Sequence, residues 1–179
     1  MVFGPWVLIE ILSRQADTLA LLGLIGSFFA AFLLPALGRW ADRYGTKMIL
    51  LAEGVLFILV YLAYGYYSHG FTTGNLALAG IPVLAVYGLY IFDRLAMHLG
   101  IVRAMYLKSI AVDPADIAPT LSMGLSMDHV VSISGAYLGG LVWFNHGPHY
   151  VFFIAAALSV INVVAALLIK TPTALARHT

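Results

Sequence analysis

The sequence predicts an all-α integral membrane protein, a six-helix transmembrane bundle whose first helix is shortened. Composition is the first observation: the 179 residues are 62% apolar and only 9% charged, with a mean hydropathy of +0.96. Soluble domains carry about a quarter of their residues as charged side chains. The second observation is that the apolar residues form five runs of roughly 20 residues, the length that a helix needs to cross a bilayer. A shorter apolar run precedes these five.

The six predicted segments belong to one transmembrane domain that covers residues 1–179. Their approximate ranges are 2–12 (partial), 18–37, 48–67, 81–99, 118–143 and 150–169. The links at 68–80 and 145–149 contain the Gly, Thr, Asn and Pro residues that are typical of loops and turns. Residues 100–117 carry four charges and a proline, which predicts a surface helix followed by a cap. Residues 170–179 are predicted to form a cytoplasmic tail.

The cations are placed unevenly along the chain, although the formal net charge is only +1. If the charged stretch at 38–47 lies in the cytosol, alternation of the spans places 100–117 and the tail on the same side. Only Arg14 then lies outside. Seven cations lie inside, namely Arg39, Arg43, Lys47, Arg103, Lys108, Lys170 and Arg177. Cytoplasmic links are enriched in Lys and Arg, so the count predicts a multi-pass protein of the cell (inner) membrane with both termini in the cytoplasm.

The stretch at 38–47 is expected to form a tight reversal between the second and third segments. Gly38 and Gly45 permit the turn, and Asp42 offers the neighbouring cations a fixed partner. The spacing Gly-x-x-x-Asp-Arg-x-Gly-x-Lys, over Gly38, Asp42, Arg43, Gly45 and Lys47, resembles the loop signature of the major facilitator superfamily. That loop joins the second and third helices of each six-helix half. The resemblance implies a conformational latch that stabilises one access state, a role that Asp42, Arg43 and the two glycines carry.

A second resemblance lies further along the chain. The run from Asp113 to Val131, followed by Gly139-Gly140 and Trp143, is similar to the fifth-helix region of bacterial major facilitator proteins. The resemblance implies secondary active transport of a small solute by alternating access, with proton coupling expected. The family has two six-helix halves, and the shortened first segment together with the ending after the sixth favours a C-terminal half or a truncated product. The expected partners are the bilayer, a small-molecule substrate, and a second six-helix half or a homodimer.

Two ionisable residues, Asp128 and His129, lie near the middle of the fifth segment. Charged groups at that depth are costly and should face protein or water. One interpretation is a site that carries protons or contacts substrate, since histidine exchanges protons near neutral pH. The other is a structural hydrogen bond to a neighbouring helix. The same segment has Gly135 and Gly139 four residues apart, and this small face is expected to lie inside the bundle.

Glu53 and Arg94 lie at similar estimated depths on consecutive antiparallel segments, which predicts an intramembrane ion pair between them. Asp93 cannot pair well with Arg94, because successive helix residues do not face one another. Asp93 and Tyr90 are further candidates for coupling or substrate contact. Four residues of the fourth segment share a helical spacing that can line a cavity: Tyr87, Tyr90, Arg94 and His98.

Several classes of function are disfavoured by the sequence. The chain has no cysteine, so it forms no disulfide and has no thiolate chemistry. Nothing predicts a cofactor, a metal site, catalytic residues or a nucleic-acid partner, and no enzymatic activity is expected. An intramembrane protease is disfavoured because Ser134-Gly135 follows Ser132-Ile133 and lacks the Gly-x-Ser-Gly pattern of rhomboid-like enzymes. A non-transporting membrane assembly or interaction protein remains the alternative.

Overall fold

The structure, a computed structural model, describes residues 3–169, which are 88% helical and contain no strand. The predicted cytoplasmic tail, 170–179, lies outside the described residues, as do two of the seven cations counted on that side. Because the described residues are largely helical and contain no strand, the fold class is all-α. The helices are α1 Phe3–Trp6, α2 Ala16–Tyr44, α3 Thr46–Thr72, α4 Ile81–Met97, α5 Gly100–Ile110, α6 Ile117–His146 and α7 Pro148–Leu168. A π-helical turn, Val7–Ile11, follows α1, and a 3₁₀ turn, Pro114–Asp116, precedes α6.

Four helical stretches of the described chain are long and apolar enough to cross a membrane, as in a multi-pass membrane protein. They are α2, α3, the stretch Ile81–Ile110 that joins α4 and α5, and α7. Two of the six predicted segments are not among them. The first is short, because helix covers only residues 3–11 there. The fifth is the 30-residue α6, which is long enough, but its Asp, His, Ser and Gly residues make it less apolar.

The reversal between the second and third segments is much tighter than expected. Helix α2 continues through Pro35 and Gly38 to Tyr44, and a single residue, Gly45, separates it from α3. Gly45 has a φ of +81°, a conformation that favours glycine. The prediction that Gly45 permits the reversal is therefore confirmed. The prediction of a turn at Gly38 is wrong. The helix continues because Leu37 and its neighbour one turn on, Ala41, are buried in a cluster with residues of α3, α4 and α5.

Helix α3 lies at the centre of the fold and packs along α7. Two glycines of α3 permit the close approach. A Cβ on Gly54 would lie 2.7 Å from Val163 Cγ2, and one on Gly65 would lie 2.5 Å from a ring carbon of Phe153. Between membrane helices, such close approach of small residues supplies much of the packing energy. The small residues that allow α3 and α7 to pack closely are therefore on the third segment.

Helix α6 has no buried residue. A Cβ on Gly124, Gly135 or Gly140 would meet no atom within 4 Å among the described residues, whereas one on Gly139 would meet the ring of Phe3. Part of this small face nevertheless points into the bundle as expected, since Ser132, Gly135 and Gly139 line a cavity between α6 and α7, but apart from the contact at Phe3 these residues are not closely packed. The packing is loose because α6 lies at the edge of the described helices, in contact mainly with α7.

Candidate functional site

A cavity of about 560 Å³ lies between α2 and α4. Its polar lining comes from Tyr90 and Arg94 on one face of α4 and from His98 directly after its end, with Ser27 on α2. Tyr90, Arg94 and His98 belong to the group that helical spacing had brought together. The rest of the lining is small or apolar, including Gly23 and Gly26 of α2. The cavity therefore combines apolar walls with a few converging polar groups, which is the usual composition of a small-molecule site.

The Arg94 side chain is held in a fixed position on this face. Its Nη2 and Nε donate to Tyr90 Oη over 2.8 and 3.2 Å, and its Cζ lies 5.2 Å from the centre of the Tyr90 ring. Residues four apart on a helix are neighbours, so Tyr90 is placed to orient the guanidinium. A Cβ on Gly26 would lie 3.2 Å from Arg94 Cβ. The glycine thus allows α2 to approach α4 at the base of the arginine.

Asp93, the residue before Arg94, does not line this cavity. Its side chain is 2% exposed, and its Oδ1 is buried without a hydrogen-bond partner among the described residues. The buried Tyr64 Oη also has no such partner, and the two groups lie near Gly4, whose Cβ would meet both within 3.7 Å. Asp93 and Arg94 form no ion pair, as the sequence predicts. Of the two, only Arg94 lines the cavity.

The prediction that Glu53 forms an ion pair with Arg94 is wrong. Arg103 Nη2 donates to Glu53 Oε1 over 2.8 Å. It is the one ion pair found within residues 3–169. The carboxylate is buried, with 5% of its side chain exposed, whereas the Arg103 side chain is 53% exposed. The depth estimate compared Glu53 only with residues of the fourth segment and left out the surface helix predicted after it. After a short turn at the end of α4 the chain continues as this helix, α5, which packs against α3 and brings Arg103 to Glu53.

The signature residues of the stretch 38–47 lie at the ends of α2 and α3. Lys47 Nζ donates to the carbonyl oxygens of Leu167 and Ile169 over 2.8 and 2.9 Å, so it caps the last turn of α7. Asp42 and Arg43 are both exposed. The expected fixed partner is absent, since Asp42 forms no ion pair with a cation among the described residues. Arg43 instead lies over the ring of Tyr44, 5.4 Å from its centre.

Asp128 and His129 are both exposed on α6. Neither side chain makes a hydrogen bond or an ion pair with another of residues 3–169. They lie about 17 Å along the helix from its start, at 1.5 Å per residue. Within the described chain the structure does not bring them to the cavity between α2 and α4.

Sequence reasoning missed three contacts that the structure shows. Arg103 was assigned only to the positive cytoplasmic side, and Lys47 to that side and to the loop signature. Glu10, on the π-helical turn, accepts a hydrogen bond from Trp143 Nε1 at 3.0 Å. An acidic residue inside an apolar run needs a donor, so the sequence contained a signal for Glu10, but not for its partner 133 residues away.

A second cavity, of about 630 Å³, lies between α6 and α7. Its lining contains no charged side chain, and its polar residues are Tyr61, Ser132, Ser159 and Asn162. A third cavity, of about 200 Å³, is lined by Glu53 and Arg103, which already pair with each other. The cavity between α2 and α4 is therefore the better candidate for recognising a polar solute. Comparison of the chain with protein-family models, with curated proteins and with solved structures finds no match.

Proposed function

We propose that the chain is one six-helix half of a major facilitator-type secondary transporter in the cell membrane, with both termini in the cytoplasm. It moves a small solute by alternating access, coupled to protons. The observation that carries this proposal is the cavity between α2 and α4, which gathers cationic and hydrogen-bonding side chains between two helical stretches of membrane-spanning length. Ionisable residues within membrane-spanning helices are rare and commonly mark substrate or ion pathways.

The contacts at the predicted cytoplasmic end support a device that couples helix movements. Lys47 joins the turn between α2 and α3 to the end of α7, and the Glu53–Arg103 pair joins α3 to α5. These contacts gather four helix ends at one side of the fold. Alternating access requires groups of helices that move as units, and such cross-links make α2, α3 and α7 one unit.

The exposed polar residues of α6 support the need for a second half. Asp128 and His129 face away from the described chain, at a depth where charge is costly unless protein or water surrounds it. A second six-helix half, from another copy of this chain or from another polypeptide, would cover them and complete the transport cavity. Asp128 would then take the coupling role.

Proteoliposomes with an imposed pH gradient test the proposal. A panel of small solutes is added outside, and an internal pH dye reports solute-dependent proton movement. Flux that is gradient-dependent and is lost with Asp128→Asn, but retained with Asp113→Asn at the start of the 3₁₀ turn, supports proton-coupled transport. A folded protein that gives no gradient-dependent flux with any solute, alone or with a second half, would refute it.

The exposed face of α6 also favours the alternative, a membrane assembly protein that does not transport. Light scattering of the protein in mild detergent, combined with the flux assay, separates the two. A stable complex without any flux identifies an assembly protein, whereas flux identifies a transporter whatever the mass of the complex.

A further inference from the structure

We propose that the cavity between α2 and α4 binds a small organic anion, whose carboxylate or phosphate group is bound by Arg94. This inference names the substrate class of the proposed transporter and therefore rests on that function. Its first support is the sign of the charge. The lining contains an arginine and a histidine, Arg94 and His98, and no acidic residue. Asp93, the neighbouring residue, is buried, does not line the cavity and forms no ion pair with Arg94.

The second support is the free hydrogen-bonding capacity at the site. Arg94 uses Nε and Nη2 to donate to Tyr90 Oη, which leaves N–H groups of the guanidinium for a ligand. Tyr90 accepts in this contact, so its own O–H is also free to donate. Among residues 3–169 no carboxylate lies within 4.0 Å of Arg94. A planar guanidinium with neighbouring free donors matches the geometry of a carboxylate or phosphate group.

The third support is position and size. Arg94 is exposed and lies 13 residues after Ile81, about 20 Å along a helical stretch of membrane-spanning length. An anion stabilises a cation at that depth more than it stabilises a cation at the surface, because water screens their attraction less there. The volume of about 560 Å³ falls within the range of about 300 to 1,000 Å³ that is typical of small-molecule sites. The site therefore fits a solute rather than a macromolecule.

The absence of cysteine from the chain allows the charge of the cavity to be measured directly. Ser27→Cys places one thiol in the lining. Its modification rate is compared for two methanethiosulfonate reagents of similar size, one anionic (sulfonatoethyl) and one cationic (trimethylammonioethyl). We expect the anionic-to-cationic rate ratio to fall by about tenfold when Arg94→Gln is added. Arg94→Lys, which keeps the charge, should retain the preference and shows that the fold tolerates a change at this position.

Ligand binding is tested by protection of the same thiol in phosphatidylcholine nanodiscs. Benzoate, benzamide and benzylammonium have nearly the same shape and differ in charge. We expect benzoate alone to slow the modification of Ser27→Cys, and Arg94→Gln to remove this protection. A parallel set of nanodiscs contains phosphatidylglycerol, which distinguishes a dissolved anion from a lipid headgroup.

Three results would overturn the inference. They are a rate ratio that does not respond to Arg94→Gln, protection by the amide or the ammonium compound as strong as by benzoate, and protection by phosphatidylglycerol without any by benzoate. None of these readouts requires transport. If the thiol experiments succeed and the proteoliposomes give no flux, the anion site remains and the transport function fails. If flux is found but the thiol experiments fail, the substrate class is wrong.

Discussion

Arg103→Gln should destabilise the folded protein by about 2 kcal/mol, because it leaves the Glu53 carboxylate without its partner. Two unit charges about 4 Å apart attract by about 4 kcal/mol at an effective dielectric constant of about 20. The Arg103 side chain is 53% exposed, and exposed ion pairs are weakened by water. We therefore expect about half of that attraction to remain, about 2 kcal/mol.

A double-mutant cycle isolates this interaction. Glu53→Gln, Arg103→Gln and the double variant are unfolded in detergent with increasing sodium dodecyl sulfate, and the unfolding is followed by the fluorescence of the three tryptophans. The coupling energy should be about 2 kcal/mol. The matched control is the cycle between Glu53→Gln and Arg94→Gln, for which the coupling should be below about 0.5 kcal/mol, since these residues form no ion pair. A larger coupling to Arg94 than to Arg103 would contradict the pairing seen in the structure.

Two further predictions concern packing and capping, both measured as free energies of unfolding in the same assay. Gly54→Ala should cost about 1 to 3 kcal/mol, because the added Cβ meets Val163 at 2.7 Å. Gly135→Ala, with no atom within 4 Å, should instead be neutral or stabilise by up to about 1 kcal/mol through helix propensity; equal losses at both glycines would contradict the packing of α3 on α7. Lys47→Met should cost about 1.5 to 3 kcal/mol, since its ammonium group donates to two carbonyl oxygens at the end of α7. Lys108→Met, on exposed α5, should change stability by less than about 0.5 kcal/mol, and a Lys47 effect no larger than this would show that the cap adds nothing.

Some of the site was readable from the sequence because it depends on local spacing. Tyr90, Arg94 and His98 recur at intervals of four residues, so a helix places them on one face whatever surrounds it. The same geometry separates Asp93 from Arg94. The positive φ of Gly45 was also predictable, since glycine is the residue that adopts this conformation most readily.

Contacts between distant segments were not predictable, because they depend on where each helix ends. The pairing of Glu53 with Arg94 was judged from depth on the fourth segment alone. The helix after it, α5, instead packs against α3, and this packing sets which cation reaches Glu53. The cap that Lys47 gives to α7 joins residues 120 and 122 positions apart in the chain, and no periodicity in the sequence reports such a distance.

The sequence by itself determined that the chain is all-α, with helices long and apolar enough to cross a membrane, because composition and run length report the medium in which a segment is stable. It also determined which residues share a helical face. Tertiary structure alone decided that α3 packs on α7 through Gly54 and Gly65 while the glycine-rich α6 stays exposed. Small residues permit close approach on any helix, and only the arrangement of the helices selects which of these surfaces meets a partner.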